Sequence, residues 1–308
     1  MGVAWDFAPT QDVHKNLSHS FGTAEYTVGM PVVPYDTQLE PCEDAVIWRF
    51  LDMDKFRDLM ANQELYFRRA DLFKKQDPNE GLPTDDYVRN VRGLRKYDLH
   101  DELTLNNGHA FFRQNSECDY LSCWSLYDGN TLRMWFTYAP NGVAVCSRYD
   151  LLKSALAGML DDIHLGKVRY GNEEMTGYNT LQCIYTKGRS FAWENEVRAV
   201  LYSNDPVAGR NRHYDAENFP HREPLDDVNP LHKWVHDCKR RRIDLKSLIT
   251  SIYVSPWATY ETFAEVKHWA NVRNYSFPVT YDQKSALTPT PDELRQRGWR
   301  LANEALAI

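Results

Sequence analysis

No stretch of this 308-residue chain approaches the roughly 18 to 20 apolar residues that a membrane-spanning helix needs. The opening MGVAWDFAPTQDVHKN also lacks the charged-then-apolar order of a secretory signal, and a myristoylation motif fails because Asp6 stands where Ser or Thr is required. These absences predict a cytoplasmic protein with no membrane partner. Cysteine is sparse: Cys42, Cys118, Cys123, Cys146, Cys183 and Cys238 form no CxxC pair, which points to reduced thiols. His109, Cys118 and Cys123 come nearest to a metal set, but their spacing matches no standard site, so no metal is predicted. Basic charge is in deficit. With 36 Lys and Arg against 43 Asp and Glu, the net charge of -7 opposes a chain-wide role as a nucleic-acid coat. The one strong basic run, Lys239-Arg240-Arg241-Arg242, reads as a solvated helix end, with local nucleic-acid contact the sharper alternative. The P-loop, the Gly-x-Gly-x-x-Gly fingerprint, the Gly-x-Ser-x-Gly elbow and HExxH are all missing, which argues against the enzyme classes that need them.

What is present is the composition of a folded protein, with 9 Trp and 18 Tyr to fill a core. Residues 1–40 show no periodicity and are expected as an extended arm. VIWRF at 46–50 reads as a strand, followed by a helix capped by Asp52 that carries Met53, Phe56, Leu59 and Met60. LYFRRADLF reads as a second strand, leading into a turn at Asp77-Pro78-Asn79-Glu80-Gly81. Residues 82–110 are polar and read as a long loop with a short helix. Further strands are expected at 120–126, at 142–149, and at 167–171, 182–186, 196–202 and 250–254. Helices are expected briefly over Leu132, Trp135 and Phe136 up to Pro140-Asn141-Gly142, from an Asp150 cap over 151–160, from Thr259 to Asn271, and over 291–306 behind the capping box at Thr290. The irregular interleaving predicts a single mixed α+β domain over 41–288, with a central, mainly antiparallel sheet split by helices. The helix of 289–308 either docks on that domain or pairs with a second copy as a homodimer.

The segment most charged with chemistry is Trp193-Glu194-Asn195-Glu196-Val197-Arg198. Strand alternation places Glu194, Glu196 and Arg198 on one face about 7 Å apart. The bland reading is a half-buried strand with solvated charges. The sharper one has two carboxylates beside a cleft, one stabilising developing positive charge and the other positioning or deprotonating an acceptor. Arg49, inside an apolar strand, either pairs with a carboxylate or presents its guanidinium to an anion. Arg68 and Arg69 take opposite faces, so at most one shares a cleft with Arg49. Ser122 and Cys123 likewise take opposite faces, with Ser125 at the strand end near Glu196. Asp77, Glu80, Glu194, Glu196 and Lys187 are the candidates for a metal-dependent nuclease.

WRF, LYFRRADLF with DPNEG, LSCWS, MWFTYAPNGVAV, KGRSFAWENEVRAVLY and ITSIYVSPWA together resemble the bacterial and phage family called domain of unknown function 2971, over about Ala45 to Leu287. The 130–132 segment Asn-Thr-Leu departs from its pattern, which leaves the 128–133 loop without a role. Arg49, then a serine at Ser122 or Ser125, then Glu194-x-Glu196 is the order of the Arg-Ser-Glu mono-ADP-ribosyltransferases. That second resemblance implies NAD as substrate, Arg49 on its phosphates, Ser125 or Ser122 supporting the nicotinamide ribose and the glutamate, and Glu196 as the catalytic carboxylate with Glu194 orienting a protein or nucleic-acid acceptor. Arg68, Trp135 and Tyr138 complete the expected NAD-binding set, and the implied setting is a toxin or a phage-defence effector. The reading from another class is a non-catalytic sensor that stacks a nucleotide or meets a partner through Trp193, Trp135 and Tyr138, with Arg49 holding a phosphate.

Overall fold

The computed structural model describes residues 32–296, apart from 76, 78, 95–97, 127–131, 160, 172–178, 203–237 and 282–289. Most of the expected arm, residues 1–31, and the final stretch 297–308 lie outside the described residues. The described chain enters through β1 (Val33–Pro34) and builds β2 (Val46–Leu51), α1 (Met53–Asn62) and β3 (Glu64–Arg69). A 3-10 turn over Ala70–Lys75 leads to α2 (Asp85–Arg92) and α3 (Leu99–Ser116). Next come β4 (Asp119–Leu126), α4 (Leu132–Tyr138), β5 (Val143–Arg148) and α5 (Tyr149–Leu156). Then follow β6 (Asp162–Lys167), β7 (Arg169–Tyr170), α6 (Thr180–Ile184), β8 (Thr186–Lys187), a 3-10 segment over Arg189–Glu194, and β9 (Glu196–Tyr202). The rest comprises β10 (Cys238–Arg242), α7 (Leu245–Leu248), β11 (Ser251–Val254), α8 (Tyr260–Val272), β12 (Val279–Tyr281) and α9 (Pro291–Gln296).

Local chemistry fixes several boundaries. Asp52 accepts from the Lys55 N–H and caps α1, which turns Phe56, Leu59 and Met60 inward and ends where Gln63 turns left-handed at φ 55°. Thr259 caps α8 in the same way, burying Val266 and Ala270. At Gly142 the backbone passes so close to Leu51 that a Cβ would stand 2.1 Å from its carbonyl oxygen, so only glycine fits there.

The fold class matches the expectation, a mixed α+β domain, while four local readings are corrected. The 82–110 stretch holds two helices rather than a long loop with one short helix, because Thr84 caps α2 and α3 runs unbroken through Asn106-Asn107-Gly108. Residues 182–186, read as a strand, mostly form α6, whose start is set by Asn179 accepting from the Leu181 N–H. Asp150 does not cap α5; it lies inside the first turn and binds Arg148, and the helix stops at Leu156. The basic run is a strand, β10, with Arg240 paired to Asp58 and Arg241 to Asp161, and is not a helix end.

The main sheet has the strand order β1-β6-β9-β4-β2-β5-β11-β12, with β3 and β10 branching from β4. Its pairings are antiparallel except β1 with β6 and β11 with β12, both at the sheet's edges. One face carries the principal core, from Ile47, Tyr120, Val145, Val197 and Leu201 to the inner sides of α1, α5 and α8. On the opposite face smaller clusters gather around Trp48 with Trp135, Leu121 with Tyr185, and the α2–α3 pair. In α9, Leu294 is wholly buried within the same chain.

The branch at β4 matters most for the site. Along one edge β4 pairs residue by residue with β9 from Asp119 to Ser125. Along the other, β3 takes only Tyr120 and Leu121, and β2 takes only Ser125 and Leu126. Among the described residues the stretch 122–124 has no ladder partner on that edge, and a cleft opens where β2 and β3 diverge.

Candidate functional site

A pocket of about 170 Å³ occupies this fork. Side chains from both faces of β4 reach it, Trp124 from one and Cys123 with Ser125 from the other, because the sheet is open there. Arg49 projects from β2 across the gap and donates from Nη2 to the Tyr66 carbonyl of β3 at 2.9 Å. Its guanidinium also lies 5.7 Å from the centre of the Trp124 ring. Among the described residues no carboxylate pairs with Arg49, and burial pulls its pKa down from the ordinary guanidinium value to about 10. Arg68 lines the same pocket, donating to the Leu72 carbonyl at 3.2 Å and lying over the Phe73 ring, again without a carboxylate. Arg69 faces away and is bound by Asp71 at 2.6 Å, as alternation required.

The opposite wall is a buried cluster of three carboxylates and two cations. Arg198, 1 % exposed, donates to both oxygens of Glu196 at 2.8 and 3.0 Å, to Glu80 at 2.5 Å, and to the Ile184 carbonyl. Lys187 binds Glu194 at 2.5 Å and reaches Glu196 at 3.4 Å and Glu80 at 3.7 Å. Tyr138 donates to Glu194 Oε1 at 2.6 Å, and Tyr170 accepts from the Glu196 N–H at 2.7 Å. Ser125 spends its hydroxyl on the Glu194 carbonyl at 2.5 Å, tying the end of β4 to the segment before β9.

Electrostatics separate the two glutamates. Burial raises the pKa of both. At Glu196 the paired Arg198 and Lys187 outweigh it and hold the carboxyl at about 2. At Glu194 burial prevails over Lys187, so its pKa is raised. The Cys123 thiol and the Tyr138 phenol are pushed well up by burial, each reinforced by a neighbouring glutamate, so neither is a ready nucleophile. One carboxylate locked in its charged form beside a second that takes up a proton more readily is a pattern found where acid and base roles are divided.

Of the residues expected from sequence, Glu194, Glu196, Ser125, Arg49, Arg68 and Tyr138 meet in this pocket. Two do not. Ser122 points to the core face of β4 with Tyr120 and Trp124, its Oγ buried and without a hydrogen-bond partner. Trp135 belongs to the core beside Trp48 and Ala144, because α4 turns Met134 and Tyr138 to the pocket and Trp135 away. Trp193 also does not line the pocket; it lies under Arg133 and against Tyr138. Two further details revise the strand argument. Glu194 is in the 3-10 segment rather than in β9, and the charged face is buried rather than solvated. Asn195, left-handed at φ 43°, makes the turn that lets both carboxylates face Lys187.

The sequence offers Lys187 and Glu80 only as candidates for a nuclease and gives Tyr66 and Trp124 no role. Their one signal was a charged residue, Glu80, inside a turn segment and a lysine next to glycine.

No family model matches the chain, and neither a curated protein nor a solved structure matches it.

Proposed function

We propose that the fork pocket binds NAD and that the protein transfers ADP-ribose from it to a macromolecular acceptor. The observation that carries this reading is Arg49: a half-buried guanidinium that no carboxylate among the described residues pairs with, set over Trp124 beside Arg68, which likewise has none among them. A cation left unpaired in a protein interior is costly, and an anionic ligand offsets that cost. A pocket of about 170 Å³ suits the nicotinamide ribose end of NAD, with the phosphates on Arg49 and Arg68 at the mouth. Breaking the bond from nicotinamide nitrogen to the ribose anomeric carbon sends the bonding pair to nicotinamide and leaves an oxocarbenium-like sugar. Glu196, held ionised, stabilises that charge, and Glu194 takes the proton released by the attacking acceptor. A toxin or phage-defence role belongs to this proposal and is tested by growth arrest on expression.

A second reading is favoured by the two-point grip of Arg198 on Glu196, which suits a structural ion pair and leaves the pocket a nucleotide sensor without chemistry. One experiment separates them. Incubated with nicotinamide-labelled NAD and lysate, a transferase releases nicotinamide and labels acceptor; a sensor binds NAD, followed by Trp124 fluorescence, and releases none. Arg49→Gln abolishes either response while keeping the fold, because it removes a charge that no carboxylate among the described residues holds, and the glutamine amide can still donate toward the Tyr66 carbonyl. Undiminished NAD binding in Arg49→Gln, or no binding by the wild-type protein, overturns both readings.

A further inference from the structure

A larger cleft of about 560 Å³ lies on the far side of Lys187, between the turn at Asp77, the face of α3 and the segment after β8. Asn106, His109 and Arg113 follow one another at helical spacing, so α3 presents all three along one wall. Phe191 and Lys187 form part of the other. Most charges here are already matched. His109 lies 2.8 Å from Asp85, and Lys187 is engaged by the three glutamates.

Two charges are not matched. Asp77 is only 5 % exposed, yet among the described residues no lysine, arginine or histidine pairs with it. Its Oδ1 accepts the Asn79 N–H at 3.0 Å, and the residue lines the cleft. Arg113, half-buried on the last turns of α3, likewise has no carboxylate partner among the described residues. A buried carboxylate and a guanidinium that line one cavity without meeting each other leave one place for a cation and another for an anion.

We propose that this cleft is a second ligand site, for a small zwitterion whose ammonium group is held by Asp77 and whose carboxylate is held by Arg113. The proposal goes beyond the NAD reading and does not depend on it, although Lys187 lines both cavities and would make the two ligands neighbours. Phe191 gives the ligand's carbon chain an apolar wall. A singly charged molecule would satisfy one group and leave the other bare.

Calorimetric titration of the full chain with a series of ω-amino acids from glycine to aminooctanoate supplies the test, with alkylamines and alkyl carboxylates of matching length as controls. The expected result is one preferred chain length with a dissociation constant in the millimolar range or better, and about tenfold weaker binding by each singly charged control. Asp77→Asn keeps an acceptor for the Asn79 N–H and so keeps the turn; it and Arg113→Gln are each expected to weaken the preferred zwitterion by about tenfold. NAD binding, measured on the same variants, stays as in the parent, so the two proposals fail separately. No member binding tighter than about 10 mM, or binding indifferent to both substitutions, overturns the proposal.

Discussion

Replacing Glu196 by glutamine keeps the side chain's size and removes only its charge, which isolates what the buried cluster contributes. In the fold its pKa stands at about 2 against an ordinary 4.5, and at roughly 1.4 kcal/mol per tenfold this is about 3 kcal/mol at neutral pH. An independent route agrees: removing one partner of a buried ion pair costs about 3 to 5 kcal/mol because the other charge is left uncompensated. Here Arg198 would keep Glu80, and Lys187 would keep Glu194, which favours the lower end. The sign against pH follows from the lowered value. Stabilisation by Glu196 is complete above about pH 4.5 and is lost as the pH falls toward about 2, where the carboxylate is protonated in the fold as well. Urea unfolding of parent and Glu196→Gln at pH 7, about 4 and about 3 therefore gives a stability gap near 3 kcal/mol that closes on acidification. A gap that stays constant with pH, or one below about 1 kcal/mol at pH 7, refutes the reasoning, because the Arg198 bond would then not be what holds the carboxyl ionised.

Asp119, buried at the start of β4 with Oδ1 unpartnered, has its pKa pushed by burial from 3.8 to about 7. Because the folded value is the higher one, the native state is penalised progressively as the pH rises from about 4 to about 7; Asp119→Asn should stabilise the protein at pH 7 by about 2 kcal/mol or more and be near neutral at pH 4, and equal effects at both would refute this. Gly142→Ala would drive a Cβ to within 2.1 Å of the Leu51 carbonyl oxygen, in backbone that cannot rotate aside. A loss of about 3 kcal/mol is expected in thermal or urea unfolding, and one under about 1 kcal/mol would show that β2 and β5 can separate there.

Much of the scaffold was legible because apolar period and capping residue agreed, as at Asp52 with α1 and Thr259 with α8. Where they disagreed, the reading failed. Residues 82–110 read as a long loop with a short helix, yet Gly108 sits inside α3, where a Cβ would come within 2.7 Å of Val88 on α2. The glycine serves helix packing, which a single sequence does not reveal. The apolar run around Cys183 and Ile184 fits a buried strand or a buried helix equally, and the Asn179 cap settles it as α6. At the site, charges within apolar runs singled out Arg49, Glu194 and Glu196, which the fold brings to one pocket. Strand alternation gave the right convergence by the wrong route, since the left-handed Asn195 stands between the two glutamates. Lys187 and Glu80 escaped because only long-range folding brings them to Arg198. Ser122 was misplaced because the two serines are an odd number of residues apart on β4 and so take opposite faces.

The branching of the sheet gives β4 a position unlike that of any other described strand. It acts as a trunk from which two limbs spread, one of β3 and β10, the other of β2, β5, β11 and β12, with β9, β6 and β1 as its root. Among the described residues no ladder ties one limb to the other; Arg49, bonded from β2 to the Tyr66 carbonyl, is a strut across the opening. A change in β2 or β3 therefore perturbs its own limb first, whereas a change at 122–124 is felt by both. Cys123 and Trp124 of that stretch line the pocket, so the pocket's width and the angle between the limbs are a single quantity.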